Sequence, residues 1–583
     1  MHTTKDSAIG QYNIMPAFPA TGEISSSFQK LVRVLHDNNI RIIDGFVGVD
    51  WKFVIGEISK EFKNYDIKPR FIAIDEALLS EEIINNQVAP YLGGNDPLFG
   101  KKSPLPLSSY FNAEKSAKFH DMLVNNQEYI IFYGPGAALL DNEASIMYVD
   151  LPKSVLIQRM RAGKAWNLGC SNSKDPKQIY KRYYFVDWQA LNSHKNSILS
   201  RIEIMADQQS DNTLPWIKGS DLRQTLHQMS VNYFRVKPTF ESGVWGGQWM
   251  KDHLTGIDQS AKNYAWSFEM IVPENGLSLK FNDLLLEISF DQLMFTESKN
   301  VLGLAEPRFG VDFPIRFNFL DTFDGGNLSI QCHPSPKYAK SQFGENFTQD
   351  ETYYIVDRKG DAQVYLGFQD DINKDEFQSA LEHSFKTGEA IEVDQYIQKF
   401  ESKKHELYLI PHGTVHSSGI DNLVLEISAT PYNFTFKMYD WVRPDLDGKP
   451  RPLNIDRAFD NLNFERKGQV VNDTLIAKPV SHKIDNQATK VHLPTHEDHF
   501  YDVVRYDFDQ EVTIETKNQC HILMLVEGEA VELTTSNGMR EVFNYVETFA
   551  IPAATGSYTL RNLGKQPAKV IQSYVKDSKC NQF

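Results

Sequence analysis

Near residue 236 the chain changes character, and no other feature limits its fold as much. Before that point, short apolar runs such as IRIIDGFVGVDW, EYIIFYGPGAALL and ASIMYVDLP alternate with charged, helix-like stretches such as SVLIQRMRAGKAW and DPKQIYKRYYFVDWQALNSHKNSILSRIEIM. That alternation predicts a parallel sheet with crossover helices. Beyond it come many short β-type runs punctuated by Gly, Pro and Asn, among them YAWSFEMIV, NLSIQCHP, TYYIVDRKG, AQVYLGF, ELYLIPHGTVHSSG and LVLEISAT. These predict an all-β barrel or sandwich, with a small helical insert, NKDEFQSALEHSFKTG, near 372–390. A polar connection follows at about 452–490, and then a second β-rich stretch. The expected architecture is multidomain: an α/β unit over 1–235, a β unit over 236–480 and a C-terminal β unit over 481–583.

The formal charge of -16 argues against nucleic acid or an anionic membrane as partner, since both need a basic face. A small anionic substrate is compatible with it, because a few local cations suffice. The four cysteines, Cys170, Cys332, Cys520 and Cys580, are scattered and form no CxxC pair, so neither a disulfide framework nor a Cys-rich zinc site is expected. The opening MHTTKDSAIGQYNIMPAFPA lacks an apolar h-region, and no apolar run reaches ~18 residues. The expectation is a soluble, cytoplasmic chain. Its oligomeric state is not readable.

One constellation carries chemistry. Gln331 and His333 are two apart in the strand-like NLSIQCHP, so both can face inward while Cys332 faces away. Glu351 opens the next run, and His416 lies in the tight segment PHGTVHSSG. If those strands line one barrel, two imidazoles, a carboxylate and an amide oxygen converge, a set suited to a divalent metal such as Zn²⁺ with a position left for water or substrate. His383, His405 and His412 are read as surface or turn residues.

Five ordered segments around these residues resemble type I mannose-6-phosphate isomerases, which have a cupin fold: VWGGQWM, FPIRFNFLDTFDGGNLSIQCHP, DETYYIVDRKGD, LIPHGTVHSSG and LVLEISATPYNFTFKMYDWVRPDLDGKPRPLNIDRAF. The likeness spans about 240–460 and continues more weakly through LMLVEGEAVEL and VETFAIPAA, which resemble the family's last cupin-like domain. It places the family's four metal ligands on Gln331, His333, Glu351 and His416. It implies metal-dependent aldose–ketose isomerisation of a sugar phosphate, with mannose 6-phosphate foremost. Lys437 stands where the family commonly has an Arg, and is a candidate for a catalytic or substrate-binding role. Glu426, on the neighbouring strand, is a catalytic candidate or a partner of the metal residues. Asn318 and Gln349 stand where the family commonly has Lys. Arg316, two residues from Asn318, is a candidate substrate-binding residue able to replace one charge. Fewer cations leave open a different sugar, or a sugar-binding or regulatory protein with altered catalysis.

The first 235 residues weakly resemble a P-loop nucleoside kinase, through IRIIDGFVGVDWK, IIFYGPGA and YVDLPKSVLIQRMRAG. A working loop reads GxxxxGK[ST], but Asp50 and Trp51 occupy the positions of its second Gly and Lys. An acidic and a bulky residue oppose phosphate there, so this unit is expected to be degenerate, structural or regulatory. An active kinase is the least favoured reading. Arg159 and Arg161 are read as a solvated helix face.

Overall fold

The apolar runs of the N-terminal third become one sheet, in the order Arg70–Ala73, Ile130–Tyr133, Ile42–Gly45, Ile146–Asp150, Ile202–Asp207, Trp216–Lys218. Its first five strands are parallel and the last is antiparallel. Ile42, Ile131, Phe132, Met147 and Val149 are buried, as in a sheet covered on both faces by helices. The computed structural model describes residues 9–65, 68–94, 96–125, 128–171, 175–429, 431–444, 448 and 451–581. The first eight residues, on which part of the leader-peptide reading rests, lie outside the described residues, as do Asp447, Lys449 and Pro450 of the quoted motif.

Asp50 has a helical duty. Its Oδ1 accepts from the Phe53 N–H at 3.0 Å and caps the helix Trp51–Phe62, satisfying one of the donors every helix start leaves bare. A Cβ at Gly45 would meet the Val149 carbonyl oxygen at 2.6 Å and the Trp51 ring at 2.9 Å, so the turn before that helix is filled. The expectation for Arg159 is overturned. It is 7% exposed and donates to the Gly48 carbonyl at 2.9 Å and to the Gln208 carbonyl at 2.7 Å, pinning the turn. Helical periodicity put it on an outer face, but it reaches a neighbouring loop. Arg161 is exposed and pairs with Glu241 at 3.1 Å.

Past residue 236 two antiparallel sheets face each other. One has the order Leu407–Ile410, Asp350–Arg358, Asn422–Ala429, Arg316–Asp321, Trp266–Met270, Thr239–Glu241. The other runs Ile397–Glu401, Gln363–Phe368, His416–Ser418, Ile330–Cys332, Phe436–Tyr439. The insert forms the helix Lys374–Thr387, started by the Asn373 side chain, which accepts from the Asp375 and Glu376 N–H groups. A second helix, Asp291–Leu302, was not expected; Glu297 breaks its dihedrals and blurs its period. The C-terminal stretch folds into a six-stranded and a four-stranded sheet, beginning at the strand Val480–Lys483.

The units share their cores. One apolar cluster runs from Ile42 and Phe132 through Leu286 and Phe317 to Leu523 and Ile571. The strand Phe18–Pro19 pairs with Leu279 and Lys280 of the hairpin formed by Gly276–Phe281 and Leu284–Ser289. That hairpin caps the carboxyl ends of the N-terminal strands. Asp150 accepts from the Ser289 N–H at 2.8 Å, and Asp207 accepts from the Glu287 N–H at 2.7 Å. Open α/β sheets bind ligands in the crevice at those ends. Here protein fills it, with Lys195 3.3 Å from Asp150 and Lys153 bonded to Asp291. The four cysteines are free thiols.

Candidate metal centre

Strand register puts the candidate residues on one inner face. Glu351 pairs with Ser428, and Ser428 with Arg316; in the next row Tyr353 pairs with Glu426, and Glu426 with Asn318. Cross-strand partners point to the same side of a sheet. On the facing sheet Gln331 pairs with both His416 and Lys437. Cys332 points the other way, into an apolar cluster. The alternation expected around Gln331 and His333 is therefore present.

Glu351 Oε1 lies 3.0 Å from His333 Nε2 and 2.8 Å from His416 Nε2, and Gln331 Nε2 is placed 3.3 Å from His416 Nε2. All four side chains are buried. His333 Nδ1 lies 3.1 Å from the Phe434 carbonyl oxygen, and His416 Nδ1 lies 2.9 Å from that of Thr414. A carbonyl can only accept, so each Nδ1 carries the proton and each Nε2 turns a lone pair inward. His333 Nε2 and Glu351 Oε1 have no hydrogen-bond partner among the described residues. Three converging acceptors in a dry interior repel unless a cation lies among them. Among the described residues His333, Glu351 and His416 form a group able to hold a metal ion. Burial lowers the His416 pKa, in keeping with a neutral ring whose Nε2 lone pair faces Glu351.

A second ring of contacts steadies these donors. Gln349 donates to Glu351 Oε2 at 3.2 Å, while its own oxygen accepts from the Phe434 N–H at 3.0 Å. The sequence flagged Gln349 as a lost cation and missed this orienting role. A cavity of about 130 Å³ opens beside Gln331, lined by Arg316, Asn318, Glu426, Lys437 and Arg451. Asn318 donates to Glu426 at 3.3 Å. Burial, then the charge of Glu351, raises the Glu426 carboxyl well above its ordinary value. Arg316 donates to the Pro431 carbonyl at 3.0 Å. Arg451, which the sequence reading did not single out, pairs with Asp440 at 2.9 Å, joining the two ends of its motif. His383 is exposed beside Glu389, as expected. His405 and His412 are half-buried and held by Glu527 and Asp350, so they are turn residues with partners.

The two facing antiparallel sheets and the donor set define a β unit with a buried centre suited to a divalent metal. Over rather more than half its length the chain matches mannose-6-phosphate isomerases. It is 23% identical over 303 residues to mannose-6-phosphate isomerase ManA of Bacillus subtilis (strain 168), covering 52% of this chain and 87% of that protein. It is 23% identical over 326 residues to the probable mannose-6-phosphate isomerase GmuF of the same organism, covering 56% and 95%. The crystal structure of mannose 6-phosphate isomerase from Bacillus subtilis aligns over 59% of this chain and 100% of its own, with a TM-score of 0.48 and 19% identity. Residues 27–231 match a family described as a domain of unknown function, DUF8485. The kinase resemblance read over that segment finds no support there. Among the described residues no helix is long and apolar enough to cross a membrane.

Proposed function

We propose that this chain is a metal-dependent aldose–ketose isomerase acting on a sugar phosphate, with mannose 6-phosphate and fructose 6-phosphate as the foremost pair. The observation that carries the reading is the convergence of two inward lone pairs and one carboxylate oxygen on a single buried point beside a polar cavity. Gln331, His333, Glu351 and His416 would hold the metal, most simply Zn²⁺. When bound, the metal supplies a Lewis acid for the sugar oxygens. Glu426 is our candidate for moving a proton between C1 and C2: it lines the cavity, and its raised pKa suits a general base. Lys437 and Arg316 supply cations to the oxyanion or the phosphate, and Lys437 does so as a point charge without the fork of an Arg.

The substrate is taken to be a small sugar or sugar phosphate met in the cytoplasm, with no nucleic acid or membrane partner. We read the chain as the three units 1–235, 236–480 and 481–583. The first is a degenerate kinase-like domain that no longer transfers phosphate: Asp50 caps a helix, and a hairpin fills the crevice at the strand ends.

Asn318 and Gln349, where the resembled family commonly has Lys, favour a second reading, a sugar-binding or regulatory protein or an isomerase of another sugar. Proton exchange at C2 of mannose 6-phosphate, followed by NMR in D₂O, separates the two. Exchange that is metal-dependent and absent in His416→Ala supports the isomerase. Binding of hexose phosphates without exchange in the metal-replete protein would favour the second reading.

A further inference from the structure

Several groups of the metal centre take their orientation from one short segment, 431–434. The Phe434 carbonyl oxygen faces His333 Nδ1 at 3.1 Å. The Phe434 N–H is given to Gln349, which in turn donates to Glu351. The Pro431 carbonyl accepts from Arg316 at 3.0 Å. An imidazole, a carboxylate and a cavity cation thus depend on the course of four consecutive residues. That segment lies between the strands Asn422–Ala429 and Phe436–Tyr439, so their ladders do not fix it.

Its grip comes from the N-terminal α/β part of the chain. The Tyr432 ring centroid lies 4.1 Å from that of Tyr184 and 5.2 Å from that of Phe185, and the ring stacks on Tyr180 at 6.1 Å. Phe99 lies 6.1 Å from Phe434 in a stacked arrangement. The Tyr184 hydroxyl is 2.8 Å from the Pro431 carbonyl oxygen, the same atom that Arg316 reaches, and 2.8 Å from Glu345. A carbonyl oxygen has two lone pairs, so it accepts from both residues. Tyr184 and Tyr432 are buried, so water does not loosen the contact.

The local backbone is built for this contact. Between the helices Pro176–Arg182 and Trp188–Ile198 the chain makes one turn of π-helix, Tyr183–Asp187. Such turns are rare and concentrate at functional sites. Neighbours on an ordinary α-helix diverge by about 100°. Here the consecutive Tyr184 and Phe185 both reach Tyr432. We infer that the N-terminal α/β part serves as a mould for the metal centre, with Tyr184 as a positioning residue that acts through Tyr432 and the segment 431–434 on His333 and Arg316. The inference rests on the metal reading of the four donors proposed above. It gives the N-terminal part a task that needs no phosphate chemistry.

Zinc titration of the full chain against a chromogenic chelator tests this in wild type, Tyr184→Leu, Tyr184→Phe, Tyr432→Leu and the double Leu variant. Zinc should bind at least about tenfold more weakly to each Leu variant, the low end of what loss of an outer support costs. The double variant should bind no more weakly than the worse single, because both remove the same grip. Tyr184→Phe keeps the ring and should recover most of the affinity. A second readout uses isotope-labelled histidine at saturating zinc. In the Leu variants the His333 Nδ1 proton should exchange faster with solvent, while that of His416, held by the Thr414 carbonyl, keeps its wild-type rate. Thermal melts check folding. If Leu at 184 or 432 prevents it, Tyr180→Leu, at the partly exposed edge of the aromatic cluster, carries the same two readouts. Unchanged zinc affinity in folded Leu variants overturns the inference and leaves the metal reading standing. Equal loosening of both imidazole protons also overturns it, since that marks a general loss of stability. A wild type that binds no zinc overturns the inference together with the metal reading.

Discussion

Ser289 gives both its backbone N–H and its hydroxyl to one carboxylate oxygen of Asp150, each at 2.8 Å. The two residues are far apart in sequence, and Lys195, fully buried, lies 3.3 Å from the other oxygen of the same carboxylate. Burial would raise the Asp150 carboxyl, but Lys195 and the Ser289 donors outweigh it and hold it below its ordinary value. Asp150→Ala should therefore leave the buried Lys195 ammonium without its nearest carboxylate, with only the Ser289 hydroxyl at 2.6 Å and the more distant Asp291, at 4.0 Å and already bonded to Lys153, to offset it. The expected loss is about 3–5 kcal/mol, the usual result of removing one partner of a buried pair. Denaturant unfolding of Asp150→Ala, Lys195→Met and the double variant measures it as a cycle. A double variant no more stable than the sum of the singles predicts would show that the pair is not coupled.

Gln349 should be a positioning residue. It touches Glu351 and the Phe434 backbone, and through both it steadies the acceptors around the metal point. Gln349→Leu should lower metal affinity about 10–100-fold while the melting curve of the metal-free protein stays put. Competition with a chromogenic chelator gives the affinity. An unchanged affinity would leave Gln349 with no more than a packing role.

Glu351→Gln and His416→Ala should abolish tight metal retention altogether, read as metal per chain by elemental analysis after dialysis. Treating wild type with a chelator should remove isomerase activity, and a divalent ion should restore it. Full activity in metal-free wild type would contradict the proposed function. The far-ultraviolet circular dichroism of both variants should match wild type, since the removed groups sit at strand ends.

His521 is buried and accepts from Gln572 at 2.7 Å, and burial pushes its pKa down to about 3. An imidazole in the unfolded chain titrates near ~6.5. Above that pH both states are neutral and His521 contributes no pH dependence. Between about 6.5 and 3 the unfolded chain takes up a proton that the native state refuses, so stability falls with falling pH by about 1.4 kcal/mol per unit for this group. His521→Phe should flatten the plot of unfolding free energy against pH by about that slope. An unchanged slope would mean that the imidazole is protonated in the folded state.

Much of the metal point was legible because it rests on strand alternation and residue type. Gln331 lies on the strand Ile330–Cys332 and His333 follows it directly, and an extended backbone's period of two decides which way each faces. Glu426, Arg316 and Asn318 sharing an inner face follows from the same rule once the register is known. What stayed hidden depends on contacts remote in sequence. Arg159 sits on a helix with ordinary charged periodicity, and nothing local reveals that Gly48 and Gln208 accept its protons. The hairpin Gly276–Ser289 reads as two plain strands. Its capping of Asp150 and Asp207 is a tertiary event, made largely by backbone N–H groups that carry no residue signature.

Both metal-facing imidazoles are oriented by main-chain oxygens, those of Phe434 and Thr414. An amino-acid replacement at either position changes the side chain and leaves the carbonyl behind. Evolutionary drift can thus rewrite most of the surrounding letters without altering which ring nitrogen keeps its proton. What fixes the proton on each imidazole is thus the course of the main chain at Phe434 and Thr414, not the identity of either side chain.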